Sequence, residues 1–263
     1  MKFYKILKLK KVPVVCNIPH SSINIPQSFK GDFIIPEKKL IKEAKELADL
    51  FTDELYANIL KKYGGIVSGV SRLATDIERF EDDKNEPMSK VGMGALYVKS
   101  QEGEIIREFS DIRREKLLNL FYRQYHKTLT SLVAQSLRQF GRCVIIDCHS
   151  FPSRPRDYEP DQKDNRPDIC IGTDKYHTPA LLKKALVGNF KNKGFSVKVN
   201  SPFKGTMIPL KYYGKDKRVD SVLIEVNRKL YMNERNFRRK KVFPDIGEVI
   251  CDCVSSSIKE HLK

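Results

Sequence analysis

The sequence has no apolar run long enough to cross a bilayer, and residues 1–11 lack the apolar core and small-residue cleavage site of a signal peptide. We therefore expect a cytoplasmic protein that makes no contact with a membrane. Cysteines are few, and most lie in apolar, strand-like segments without the paired spacing of a metal knuckle. Reduced core thiols are thus favoured over disulfides or a cysteine zinc site. The six are Cys16, Cys143, Cys148, Cys170, Cys251 and Cys253.

Short catalytic signatures are also missing from the chain. There is no internal repeat, no Gly-rich phosphate loop, no Gly-x-Ser-x-Gly elbow and no His-Glu-x-x-His motif. An active site in this protein must therefore be assembled from residues that lie far apart in the sequence.

The composition predicts one domain and an anionic ligand. The chain has 263 residues, of which 40% are hydrophobic, and this fits a single α/β domain over residues 1–263. The net charge of +16 is spread along the chain, which is typical of a solvated surface and would attract a small anionic substrate to a cleft. No basic motif is interleaved with aromatic residues, so we do not expect nucleic acid as a partner. A non-catalytic basic protein that binds polyanions is the alternative from another class.

Two predicted strands lead into histidines. Residues 143–150 form a short run rich in Val and Ile, which is typical of a strand buried on both faces, and His149 lies near its end. Residues 12–18 form another strand, and His20 follows it. Ligands collect beyond the carboxyl ends of strands in open α/β sheets, so we expect the two histidines to meet there. The end of the 143–150 strand also carries Asp147 and Ser150.

Two long segments repeat apolar residues at helical spacing: residues 37–63 and residues 111–140. The first carries Asp49 and Asp53 one turn apart. Both could lie on exposed helix surface, but apolar residues flank Asp49 and could place it at the edge of the buried face. The second carries Arg123 and His126, which are three residues apart and therefore share one face.

Arginines follow the strand predicted over residues 66–71. Arg72 and Arg79 come within two turns of its end, and Arg is the residue that grips a carboxylate with two parallel hydrogen bonds. Paired arginines here suit an acidic substrate. Structural ion pairs with Asp76 or Glu78 are the equally weighted alternative.

A carboxylate lies inside the last strong strand, residues 219–226. Glu225 would be costly there in its ionised form unless it is paired, for example with Arg228, or has a chemical role. Two histidines and a carboxylate suffice for a catalytic zinc, which takes three protein ligands and leaves one position for water. Glu225 is then the candidate that accepts the proton of that water, and Asp147 could orient His149.

Six sequence blocks, taken together and in order, resemble the N-formylglutamate amidohydrolase family and extend over residues 12–232. The blocks are Pro19-His20-Ser21-Ser22 with Pro26, Ser71-Arg72-Leu73 leading to Asp76 and Arg79, Tyr125-His126, Asp147-Cys148-His149-Ser150-Phe151-Pro152, Asn200-Ser201-Pro202-Phe203-Lys204-Gly205, and Glu225-Val226-Asn227-Arg228-Lys229-Leu230-Tyr231-Met232.

The resemblance implies a three-layer α/β/α fold with a mixed, mostly parallel central sheet, related to zinc carboxypeptidases and aspartoacylases. It implies an amidohydrolase with one zinc ion per chain, or another divalent ion, bound by His20 and His149. An acidic residue of the family matches Asp49, which we prefer to Asp53 as the third ligand. Glu225 would be the general base and acid.

The resemblance also implies a substrate, an N-acylated acidic amino acid of the N-formyl-L-glutamate type, which is cleaved to formate and the free amino acid. His126 or an arginine would polarise the scissile carbonyl, and Asp147 and Ser150 would support the metal site. The residues expected to bind the substrate are Arg72, Arg79, Arg123, Asn200 and Arg228.

Two positions depart from the family pattern. Asp76-Ile77-Glu78-Arg79 replaces the usual Asp-Leu-Asn-Arg, and Gly205-Thr206 stands where two glycines are expected. The extra negative charge could change which substrate is accepted, so the same chemistry on another N-acyl amino acid or a peptide remains open.

Overall fold

The computed structural model describes residues 3–159 and 161–263. Within these residues the chain forms nine strands: β1 (Tyr4–Leu7), β2 (Val14–Ile18), β3 (Gly65–Ser68), β4 (Cys143–Phe151), β5 (Ile169–Gly172), β6 (Val197–Val199), β7 (Val219–Asn227), β8 (Met232–Asn233) and β9 (Arg238–Arg239). The α-helices are α1 (Gln27–Lys30), α2 (Glu37–Leu47), α3 (Thr52–Leu55), α4 (Ala57–Tyr63), α5 (Asp111–Leu117), α6 (Arg123–Phe140), α7 (Ala180–Asn192) and α8 (Phe243–Leu262). Short 3₁₀ turns cover Pro87–Val91 and Arg228–Leu230.

Seven strands form one sheet in the order β1-β3-β2-β4-β7-β5-β6, and β8 and β9 form a separate hairpin. The β1–β3 and β5–β7 pairs are antiparallel, whereas the other four pairs are parallel. The prediction of a mixed, mostly parallel sheet in an α/β fold is therefore confirmed.

The two central strands are apolar along their length because helices and loops cover both faces of the sheet. All nine residues of β4 and all nine of β7 are buried. Successive side chains of a strand point to opposite faces. Accordingly, Ile145 packs in the core on the α6 side, and Val144 and Ile146 pack with α4, α7 and α8 on the other side. This arrangement gives the three layers that were expected.

The helix predicted over residues 37–63 is interrupted. The α2 helix ends at Leu47, and Phe51 adopts a left-handed φ of 67° before α3 begins. Tertiary contacts account for the break, because the backbone N–H of Asp49 donates to the carbonyl of His20 at 2.9 Å instead of continuing the helix. Asp49 is thereby buried next to the end of β2.

The helix predicted over residues 111–140 is confirmed, with one π-helical segment at Leu118–Tyr122 between α5 and α6. No helix among the described residues is both long enough and apolar enough to cross a membrane.

Candidate active site

The carboxyl ends of β2, β4 and β7 lie side by side at one edge of the sheet. Asn17 on β2 pairs in register with Asp147 on β4, and His149 pairs with Glu225 on β7. His20 follows β2 by two residues. A cavity of about 440 Å³ opens at this edge, and His20, His149 and Glu225 all line it. His20 and His149, which we expected to meet beyond the strand ends, therefore lie at the same cavity.

His20 presents an unused ring nitrogen to the cavity. Its Nε2 lies 2.9 Å from Oδ1 of Asp76, and Arg72 donates to Oδ2 of the same carboxylate at 2.7 and 3.0 Å. Burial would raise the pKa of Asp76, but Arg72 and His20 outweigh it and hold that pKa well below its usual value. Since the ionised carboxylate accepts, Nε2 carries the proton. Nδ1 is buried and has no hydrogen-bond partner in the described part of the chain.

His149 is supported in the same manner by a second aspartate and arginine. Its Nδ1 lies 3.1 Å from Oδ2 of Asp49, and Oδ1 of Asp49 accepts from Arg228 at 3.0 Å. Burial opposes ionisation of Asp49, yet the contacts with His149 and Arg228 lower its pKa. The backbone N–H of Ser150 also donates to Asp49, at 3.3 Å, and the Ser150 hydroxyl accepts from Arg228. Asp49 is therefore held as an ionised carboxylate against the ring.

Two carboxylates reach both histidines. Ligand atoms of His20, Glu78 and His149 all lie within 4.8 Å of one another. Asp49 Oδ2 lies 3.1 Å from His149 Nδ1 and 3.9 Å from His20 Nδ1. Asp53, in contrast, is exposed and does not line the cavity. Of the two aspartates considered from the sequence, only Asp49 lies at the site.

Glu225 is a buried carboxyl group poised beside the histidines. Burial is the largest cause that raises its pKa, to about 8, and Asp49 adds to this effect while His149 and Arg228 oppose it. Its Oε2 is buried and has no hydrogen-bond partner among the described residues. The salt bridge considered between Glu225 and Arg228 is replaced by the Arg228–Asp49 pair. A carboxyl group of this kind can exchange a proton near neutral pH.

Comparison with known proteins identifies the family of this chain. The family model described as N-formylglutamate amidohydrolase matches residues 12–232. The chain belongs to the N-formylglutamate amidohydrolase family. The N-formylglutamate deformylase of Pseudomonas putida is 26% identical over 241 residues, covering 85% of this chain and 83% of the relative. The N-formylglutamate deformylase of Pseudomonas aeruginosa is 26% identical over 245 residues, covering 87% and 85%.

Solved structures show the same fold. The crystal structure of N-formylglutamate amidohydrolase from Ralstonia eutropha JMP134 superposes with a TM-score of 0.87 at 19% identity, covering 100% of this chain and 99% of that one. A gene product of Agrobacterium tumefaciens gives a TM-score of 0.72 at 16% identity, covering 100% and 97%. The family resemblance and the fold inferred from the six blocks are thus confirmed.

In this member of the N-formylglutamate amidohydrolase family, the predicted arginines divide into distinct groups. Arg72 and Arg228 line the cavity, but their guanidinium groups are committed to the aspartates behind the histidines. Arg79 also lines it and makes only long contacts, 3.6 Å to Asp76 and 3.7 Å to Glu86. Its Nε is buried without a partner within the described ranges. Arg79 is therefore the predicted arginine that is available to bind a ligand.

Two residues predicted for the substrate pocket lie elsewhere. Arg123 does not line the cavity and instead pairs with Glu81 and Glu115, with 34% of its side chain exposed. Asn200 exchanges hydrogen bonds with Thr173 and also lies outside the cavity lining. Sharing a helix face with His126 did not direct Arg123 inward, because acidic residues on neighbouring surface segments hold its long side chain outside.

His126 and Asp147 line the cavity as predicted. The Nε2 of His126 is 2.8 Å from the carbonyl of Ile77, and burial lowers the pKa of His126. The neutral ring therefore uses its N–H on that carbonyl, which leaves none for a substrate. Asp147 accepts from the Asn17 side chain and the Met207 backbone, both at 2.8 Å, and lies 3.1 Å from His149 Nε2.

Glu78, Arg156 and Tyr158 are among the cavity residues that sequence reasoning did not assign to the site. Glu78 lies 3.1 Å from His149 Nε2, and only its departure from the family block drew attention to it. Arg156 and Tyr158 lie in the Pro- and Arg-rich loop after β4, which carries no pattern that distinguishes one basic residue from another.

Proposed function

We propose that this protein is a metal-dependent amidohydrolase that cleaves the amide bond of an N-acylated acidic amino acid. N-formyl-L-glutamate is the type substrate, and the products are formate and glutamate. The observation that carries the proposal is the buried, unpaired Glu225 carboxyl beside His20 and His149, in a chain that belongs to the N-formylglutamate amidohydrolase family.

The histidine pair fits a divalent cation such as zinc. His20 offers a buried Nδ1 that has no hydrogen-bond partner among the described residues, and imidazole and carboxylate donors suit zinc. When bound, zinc supplies Lewis acidity that lowers the pKa of water and polarises a carbonyl. Asp49 and Glu78 both contact the two rings, but the pKa of Asp49 is lowered whereas burial raises that of Glu78, so we assign His20, His149 and Asp49 as its ligands. Glu78 is the other carboxylate within reach.

Glu225 carries out the proton transfers. Its pKa of about 8 in the absence of a cation would fall when positive charge binds nearby, so that its carboxylate can accept a proton from the attacking water. The water oxygen bonds to the carbonyl carbon, the C–N bond breaks, and the same proton passes from Glu225 to the departing nitrogen. The free Oε2 is the atom that would hold the proton between the two steps.

The remaining residues orient the reacting groups. The carboxylate of Asp76 fixes the ring of His20, and Arg72 keeps that carboxylate in place. Asp147 and Ser150 support His149 and Asp49 in the same role. Arg79 is the cavity-lining arginine that we assign to a carboxylate of the substrate.

The decisive experiment combines metal content with turnover. Elemental analysis of purified, tag-free wild type should find about one zinc ion per chain, and His149→Ala should lose it. Formate release from N-formyl-L-glutamate should require the metal and should fail in the variant. His261→Ala is the matched control, because His261 pairs with Asp220 and does not line the cavity. Wild type that neither holds nor regains zinc would refute the metal site.

A second substrate class is favoured by Glu78. Its side chain is 20% exposed at the site and adds a negative charge close to His149. This charge would oppose an anionic group placed near it and would suit a neutral or cationic one. A screen of N-formyl amino acids with acidic, neutral and basic side chains separates the two candidates, since a neutral or basic optimum would replace glutamate as the substrate.

A further inference from the structure

The cavity contains more positive charge than the metal site uses. Its lining arginines and lysine are Arg72, Arg79, Arg156, Lys204 and Arg228. Arg72 and Arg228 neutralise Asp76 and Asp49. Arg156 differs, because its guanidinium makes no hydrogen bond or salt bridge anywhere in the described chain, and only its backbone carbonyl is engaged. An arginine that faces a cavity without a partner is suited to an anionic ligand.

The structure fixes the position of Arg156 rather than leaving it on a free loop. Its carbonyl accepts from the backbone N–H of Glu159 at 2.9 Å, which closes a turn. The Glu159 carboxylate forms a buried ion pair with Arg166. Arg166 also donates to the Pro152 carbonyl at 3.1 Å and stacks over the ring of Phe151 at 5.9 Å, at the end of β4. The turn that carries Arg156 is thus anchored to β4, the strand that carries His149.

Three acidic residues that line the cavity outside the metal site, Glu46, Glu159 and Asp174, already have partners. Glu159 is neutralised by Arg166. Asp174 accepts backbone N–H groups from Tyr176 and His177, each at 2.8 Å. Glu46 accepts from a glutamine side chain at 2.6 Å. The charge of Arg156 is therefore available to a ligand.

Arg79 contacts a residue that supports the metal site, whereas Arg156 does not. Arg79 is 3.6 Å from the Asp76 carboxylate, which itself contacts His20. Arg156 shares no hydrogen-bond partner with either histidine among the described residues. In N-formyl-L-glutamate the α-carboxylate is bonded to the carbon that bears the scissile nitrogen, and the side-chain carboxylate lies two methylene groups farther away. The two arginines match the two carboxylates in this order.

We propose that Arg156 binds the side-chain carboxylate of the substrate and sets the preference for an acidic amino acid, while Arg79 binds the α-carboxylate. This inference rests on the proposed hydrolysis of an N-acyl acidic amino acid. It assigns selectivity to a residue outside the metal site, on the anchored turn after β4.

The test compares N-formyl-L-glutamate with its neutral isostere N-formyl-L-glutamine in wild type, Arg156→Gln and Arg154→Gln. Arg154 is exposed on the same loop and does not line the cavity, so it is the matched control. The ratio of kcat/KM for the acidic over the neutral substrate should fall roughly 10- to 100-fold in Arg156→Gln, chiefly through KM, because a charge-assisted hydrogen bond is lost. Arg154→Gln should keep the wild-type ratio.

A binding measurement separates failure of this inference from failure of the proposed hydrolysis. Calorimetry with glutarate as the probe needs no turnover, and Arg156→Gln should bind it roughly 10-fold or more weakly than wild type. An unchanged substrate ratio in Arg156→Gln would overturn the inference while leaving hydrolysis intact. If wild type hydrolyses neither substrate, equal glutarate affinity in the two proteins, or no binding by wild type, would overturn it independently.

Discussion

Replacing Glu225 with glutamine should increase stability and remove activity, and the increase should depend on pH. The folded protein holds the pKa of Glu225 at about 8, against an ordinary value of 4.5, mainly because the carboxyl group is buried. The folded state therefore binds this proton more tightly than the unfolded chain. Ionising Glu225 consequently costs stability, and the cost appears as pH rises above about 4.5 and is complete above about 8.

The size of this effect follows from the two pKa values. Each pH unit between them corresponds to about 1.4 kcal/mol, which gives an upper limit of roughly 5 kcal/mol. Relaxation of the site and entry of water reduce the penalty for a buried charge, so we expect about 2–4 kcal/mol. Glutamine has nearly the same shape but cannot ionise. Its packing cost is equal at all pH values, and the difference between acidic and basic pH isolates the charge.

The assay is urea unfolding of chelator-treated wild type and Glu225→Gln near pH 5 and near pH 9. Chelation matters because a nearby cation would stabilise the carboxylate. The variant should gain stability relative to wild type only at the higher pH, and after metal loading it should lose about 10²- to 10⁴-fold in kcat. Glu248→Gln, on the exposed side of α8, is the control and should show no such dependence. Equal stability differences at both pH values, or full turnover by the metal-loaded variant, would refute the role of Glu225.

Two further predictions concern the third metal ligand and the surface residue Arg123. Asp49→Asn should weaken zinc binding in chelator competition by about 10- to 100-fold or more. The effect should exceed that of Glu78→Gln, since Asp49 is held ionised against both histidines. A larger effect of Glu78→Gln would assign the third ligand to Glu78. Arg123→Gln should leave KM for N-formyl-L-glutamate unchanged and alter stability by about 0–1 kcal/mol, because its ion pairs are exposed. A marked rise in KM would return Arg123 to the substrate site.

The sequence was sufficient for the strands β2, β3, β4 and β7 and for the residues at their ends. The apolar runs that became β2, β4 and β7 are local signals, and parallel strands necessarily bring their carboxyl ends to one edge. That rule predicted that His20 and His149 would meet, and both line one cavity. Glu225 was found by a different signal, a carboxylate inside an apolar strand, and it lines the same cavity. The helix over residues 111–140 was predictable because the helical spacing of its apolar residues is also a local signal.

The helix interruption at Asp49 was not predictable from periodicity. Apolar spacing continues through residues 37–63, yet the backbone of Asp49 binds the carbonyl of His20 and the chain turns at Phe51. A hydrogen bond to a residue 29 positions away competes successfully with the next helical turn, and no local pattern records it.

By itself, the sequence determined the fold class, the family and the two histidines and glutamate of the proposed chemistry, because each depends on local pattern or on strand direction. Only the tertiary structure decided which charged groups pair with one another. It committed Arg72 and Arg228 to aspartates, placed Arg123 at the surface and left Arg156 facing the cavity. The physical reason is that an ion pair forms over a few ångströms between long side chains on different elements, and these distances exist only after the chain has folded.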